Sequence, residues 1–152
     1  MPMDSLPKQK NVALDTLMPL IRQELAEGKS VRFAPRGTSM LPMLRQGIDR
    51  VTISPPPKKL KKYDLPLYQR DNGKYILHRV IGVGETYTCL GDNQFAKEYG
   101  VRHDQIIGLV TEFTRGDPTI SLNNLWYQLY CRVWAITRFP RRCWRKLRSL
   151  LK

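Results

Sequence analysis

The run LPLYQRDNGKYILHRVIGV, residues 65–83, decides the fold. Two β-prone stretches, Leu65 to Arg70 and Lys74 to Val83, flank Asp71-Asn72-Gly73. Asn-Gly between such stretches is the strongest short-range hairpin signal, because a type I′ turn needs positive φ at both central residues. The pattern therefore predicts a pair of antiparallel strands. Side chains alternate along a strand, so Ile76, His78 and Val80 share one face, and Tyr75, Leu77, Arg79 and Ile81 share the other. His78 thus points the same way as two aliphatic residues.

Working outward, Val31 and Phe33 alternate with Lys29, Arg32 and Ala34, and Asp49 to Ile53 (DRVTI) repeats the period of two, so both read as short strands. Thr86 to Leu90 and Ile106 to Phe113 supply two more, with Gly91-Asp92-Asn93 as a polar turn between them. The segment Pro55 to Lys62, three prolines and then a lysine-rich run, reads as an exposed extended connection. Upstream, Leu14, Leu17, Met18, Ile21 and Leu25 lie on one helical face that stops near Gly28. Pro19 is accommodated in the first turn if Asp15 or Thr16 is the N-cap. Leu122, Leu125, Trp126, Leu129, Val133 and Ile136 are again helically spaced. The expected architecture is mainly β, with an N-terminal arm and helix (1–29), a β domain (30–120) and a basic amphipathic helical tail (121–152).

Charge is unevenly spread along the 152 residues. The net charge is +13, and residues 125–152 hold eight Lys or Arg and no acid. Together with Trp126, Trp134 and Trp144, this is the composition of a helix lying in a membrane interface. Leu125–Lys152 is therefore expected to bind an anionic membrane surface. The competing reading packs residues 122–139 on the domain as an ordinary core helix. Nucleic-acid binding through Lys58 to Lys62 and the tail is disfavoured by the tail's aliphatic stripe and by the lack of a helix-turn-helix pattern. The apolar run near the N-terminus is broken by Asp15, Pro19 and Arg22, and no stretch approaches the ~20 apolar residues that span a bilayer. The expected location is cytoplasmic, peripheral at the inner face of the membrane. Cys89, Cys131 and Cys143 lack metal-ligand or redox spacing, so no metal site, disulfide framework or cofactor is expected.

Chemistry centres on GTSMLPML, residues 37–44. Gly37 permits a backbone conformation closed to other residues, Pro42 fixes φ, and Met40, Leu41, Met43 and Leu44 surround Ser39 with apolar groups. A serine is a weak nucleophile until a base takes its proton. Of the two histidines, His103 lies among charges and reads as a solvated loop residue, whereas a neutral His78 is able to accept a proton at pH 7. Lys74 is the alternative base. Either Asp92 or Glu98 would orient the ring, and spacing alone leaves both open.

GTSMLPML, YILHRVIGV and GDNQ, in that order across roughly residues 30 to 110, resemble the signal peptidase I and LexA-like serine peptidase superfamily. The bacterial and repressor branches have lysine where this chain has His78. The similarity is therefore to the His-using branch of archaeal and endoplasmic-reticulum signal peptidases. The resemblance implies a coiled β-sheet domain and a serine endopeptidase acting on an extended peptide or protein substrate with small residues before the cleaved bond. It implies Ser39 as nucleophile and His78 as base, with Thr38, Met40 and Pro42 as oxyanion-side and substrate-binding positions. Where that branch carries an Asp after the GDN turn, this chain has Glu98, so the assisting acid is Glu98 or Asp92. Many bacterial relatives have a serine at the position of Gly37, and without it the Ser39 backbone N–H would carry more of the oxyanion role. The alternative function is a non-catalytic peptide-binding module of the same fold, docked on a membrane.

Overall fold

The computed structural model describes residues 13–151. Helix α1 (Leu14–Ala26) buries Met18, Ile21 and Leu25 against the sheet and ends before Gly28, which has φ +78°. Its N-cap is Ala13, without a side-chain cap, so Pro19 sits in the second turn. The hydrogen bond that Pro19 cannot donate would have gone to the Asp15 carbonyl. Both residues are exposed, so water meets the loss.

The strands form two antiparallel sheets. The larger runs in the order β1 (Val31–Phe33), β2 (Val51–Ser54), β8 (Ile106–Thr114), β3 (Pro66–Gln69), β4 (Tyr75–Leu77), and β9 (Thr119–Ser121) also pairs with β8. The smaller contains β5 (Arg79–Val83), β6 (Tyr87–Leu90) and β7 (Glu98–Val101). This is the β-rich body expected. Strands β7 and β9 are additions to the expected set. The first core packs Met40, Met43 and Leu44 with Val51, Ile53, Leu65, Leu67 and Phe113, and the second packs Tyr68, Val80 and Cys89 with Leu60 and Val101. Leu60 anchors the otherwise mostly exposed Pro/Lys connection.

The central hairpin falls where its sequence places it, but the turn is different. Gly73 has φ +84°, whereas Asn72 does not have positive φ. The Gly73 amide donates to the Arg70 carbonyl and the Arg70 amide to the Lys74 carbonyl, each at 2.9 Å. These bonds define a three-residue loop closing on a left-handed glycine, the second common hairpin geometry. The return strand is also broken. Residues 75–77 belong to the larger sheet and residues 79–83 to the smaller, so His78 stands where the chain passes from one to the other. As a result His78, Arg79 and Val80 are all buried.

Helix α2 (Leu125–Ile136), capped by the Asn124 side chain accepting from the Trp126 amide, packs on the body, and α3 (Arg138–Leu150) follows it. Tyr127 and Cys131 of α2 are buried, with Tyr130 and Trp134 beside them. The stripe of Leu125, Trp126, Leu129, Val133 and Ile136 faces outward instead, each residue being about half to nearly nine-tenths exposed. One face of α2 is therefore core, and the other is an exposed apolar surface. Among the described residues no helix is long and apolar enough to cross a membrane.

Candidate functional site

Ser39 is held by its neighbours on three sides. Met40, Met43 and Leu44 anchor its loop in the core. At the loop's far end the fully buried Asp49 accepts from the Arg45 amide and guanidinium at 2.8 to 2.9 Å, which holds its carboxyl down at about 2. Gly37, with φ +90°, donates its amide to Gln46 Oε1. From the opposite side the Gly91-Asp92-Asn93 turn grips the loop: the Asn93 amide donates to the Ser39 carbonyl at 2.8 Å, and Asn93 Nδ2 to the Thr38 carbonyl at 3.1 Å. A side chain at residue 91 would come within 2.6 Å of the Ser39 carbonyl oxygen, so only glycine fits there. The Ser39 amide itself makes no hydrogen bond among the described residues.

Ser39 and His78 line one cavity of about 110 Å³, together with Gly37, Met40, Tyr75 and Ile76. No hydrogen bond joins the two among the described residues, an ordinary state for an unliganded site, where such contacts are commonly long. His78 is 4% exposed. Burial pushes its pKa down to about 4; Glu98 opposes that shift and Arg70 adds to it, so the imidazole is neutral at pH 7.

The two candidate acids occupy different environments. Glu98, on β7, lies with Oε2 3.8 Å from His78 Nδ1 and accepts a 2.6 Å bond from the Tyr68 hydroxyl, which is itself 3.5 Å from Nδ1. Arg70 donates twice to Glu98, at 2.7 and 2.8 Å, and holds its carboxyl below the usual range. Tyr68 and Arg70 stand two residues apart at the same edge of the hairpin, so both reach one carboxylate. Neither was singled out by sequence reasoning; their shared strand face was the available signal.

Among the described residues Asp92 makes no hydrogen bond to His78, though its charge favours the protonated ring. It takes two 2.8 Å bonds from the guanidinium of Arg79, which is 3% exposed, and a third at 2.9 Å from the Tyr130 hydroxyl. Burial alone would favour loss of the Arg79 proton, but Asp92 outweighs it and keeps the group firmly charged. Tyr127 accepts from the same guanidinium at 2.6 Å, and Trp134 Nε1 donates to the Asp92 carbonyl at 2.9 Å. Of the two acids expected near His78, Asp92 thus has its oxygens committed to tying the GDN turn, β5 and α2 together.

The remaining sequence candidates separate as well. Thr38 is exposed, and Met40 is both a cavity wall and a core residue. Pro42 lies outside the cavity lining, with its carbonyl bonded by Arg115. Lys74 lines a neighbouring groove rather than the Ser39 cavity. His103 is half-buried in a 3₁₀ turn and hydrogen-bonded to the Tyr87 hydroxyl at 3.0 Å, not solvated as expected. Among the described residues no group of three or more His, Cys, Asp or Glu is placed to hold a metal ion. No protein-family model matches the chain, and comparison with curated proteins gives no significant match.

Proposed function

We propose that the protein is a serine endopeptidase of the signal-peptidase-like type, with Ser39 as nucleophile, His78 as base and Glu98 as the assisting acid. The observation that carries the reading is the convergence of Ser39 and a neutral, buried His78 on one cavity, with Tyr68 and Glu98 behind Nδ1. Nδ1 faces Tyr68 and Glu98, which leaves Nε2 for the serine. Ser39 Oγ attacks the scissile carbonyl carbon while Nε2 takes its proton; the tetrahedral intermediate collapses as Nε2 returns the proton to the leaving amine. Water then attacks the acyl-enzyme, again giving its proton to Nε2, and Ser39 is regenerated. Glu98 stabilises the transient imidazolium, directly and through the Tyr68 hydroxyl, and the free Ser39 amide donates to the oxyanion. Strand β4 ends the larger sheet beside the cavity, so an extended substrate is able to pair with its open edge.

The location we propose is peripheral, on an anionic membrane surface. Phe139, Cys143, Leu147 and Leu150 recur along one face of α3; Arg141 and Arg145 lean on Trp134 and Phe95 of the body, Arg142, Lys146 and Arg148 are exposed, and no residue of α3 is buried. Segregated apolar and basic faces of this kind are what an interfacial helix presents to acidic lipid. The outward apolar stripe of α2 extends the same surface.

The test treats wild type, Ser39→Ala and His78→Ala with extended peptides bearing alanine or glycine before the cleavable bond, with anionic vesicles present, and reads products by mass. Cleavage by wild type alone is expected. Undiminished cleavage by Ser39→Ala would refute the mechanism, and no cleavage by folded wild type would favour the peptide-binding module.

A further inference from the structure

The Ser39 cavity adjoins a much larger groove of about 1480 Å³, and the two share Pro35, Arg36, Gln46, Tyr75 and Ile76. One wall is formed by β1 and the segment after it, the other by the tip of the hairpin and β4. These are the two end strands of the larger sheet, brought to face each other by its curl. Both walls combine apolar and cationic groups. Phe33 and Tyr75 are half-buried in the groove, whereas Arg32, Arg36 and Lys74 are exposed along it. None of these three cations has an ion-pair partner among the described residues, and Asp15 is the one acid in the described lining.

An unpaired cation on a concave wall raises the local concentration of negative charge and repels positive charge, and it does so more strongly than on a convex surface. Lys58 and Lys59, by contrast, lie on the Pro/Lys connection, outside the groove. The groove also shares its wall with the reactive cavity, so a segment lying in it runs beside the bond presented to Ser39.

We infer that the preferred substrate is an acidic extended peptide, carrying Asp or Glu within a few residues of the cleaved bond, with Arg36 and Lys74 as its specificity-determining contacts. The inference rests on the peptidase reading for the position of the cleaved bond, but the charge preference of the groove stands apart from catalysis. Apolar side chains of the bound segment pack on Phe33 and Tyr75, and its acids reach the cationic rims.

Three peptides with one cleavable core, flanked on both sides by Glu, Gln or Lys, test this on the full chain. Wild type is expected to show kcat/KM in the order Glu, Gln, Lys, with about fivefold between the first two at low salt, the scale of two exposed ion pairs. The spread should shrink at high salt. Arg36→Gln/Lys74→Gln should lose the ordering, and Lys58→Gln/Lys59→Gln, which removes the same net charge, should keep it. Equal cleavage of all three peptides by wild type would overturn the inference and leave the peptidase intact. If none is cleaved, fluorescence anisotropy of the same peptides with Ser39→Ala decides: tighter binding of the Glu peptide supports the acidic groove without the peptidase, and equal or absent binding overturns it.

Discussion

Lowering the pH should destabilise this protein through His78 well before its carboxylates protonate. In the folded chain the ring titrates at about 4, chiefly because it is buried. In the unfolded chain it titrates near the ordinary value of about 6.5. Below that value the unfolded state takes up a proton that the native site refuses, so stability is full above pH 6.5 and falls as pH drops towards 4. The gap corresponds to about 3 kcal/mol in all, of which about 2 kcal/mol is lost by pH 5. Urea unfolding followed by circular dichroism, at intervals from pH 7.5 to 4, measures this in wild type and His78→Gln. Glutamine removes the titration, so the stability of wild type relative to the variant should fall by about 2 kcal/mol between pH 7.5 and 5. The depressed Asp49 carboxyl loses its contribution only between 3.8 and about 2, and does so in both proteins. A difference that does not change with pH, or an NMR titration placing His78 at 6.5 or above, would refute the reasoning.

Asp92→Ala leaves the Arg79 guanidinium charged and unpaired in the core and should cost about 3–5 kcal/mol in denaturant unfolding. Glu98→Gln, at a half-exposed site, should cost far less stability while lowering the proposed peptidase activity, a contrast that assays of both variants would resolve. Gly91→Ala forces a methyl group against the Ser39 carbonyl and should cost about 1–3 kcal/mol, measured by thermal unfolding, through displacement of the serine loop. Trp126 and Trp144 are exposed, so their fluorescence should shift to the blue with anionic but not neutral vesicles; Leu147→Asp or added salt should weaken the shift.

The hairpin, its flanking strands and the first helix were legible because each rests on local periodicity or on a contiguous motif, whereas that Ser39 and His78 line one cavity was suggested only by the resemblance. What escaped depends on partners distant in sequence. A period of two cannot register that a strand changes sheets at residue 78, nor that an arginine along it is buried, since charged residues are rarely inside. Arg79 is inside only because Asp92 comes to meet it. That Arg79 engages Asp92 while Glu98 lies beside His78 was closed to sequence for the same reason. The turn type was missed because Asp71-Asn72-Gly73 supports a three-residue loop as well as the two-residue one. In α2 the aliphatic stripe outscored the docking face, whose Tyr127, Tyr130 and Trp134 bury large ring surfaces yet carry polar atoms.

The Arg79–Asp92 pair has a consequence for where the polypeptide can be shortened. Judged by composition, the basic tail starts near residue 121. Judged by burial, the indispensable part runs on through α2, because Tyr127, Tyr130 and Trp134 roof the ion pair whose turn also grips Ser39. A chain ended before α2 would open that pair to water and slacken the serine loop some distance away. One ended at Thr137 would keep the roof but lose its outer brace, since Arg141 of α3 stacks on Trp134 and Arg145 reaches the Asn93 carbonyl. The helix with the most basic surface thus also clamps, from outside, the turn that holds the serine loop.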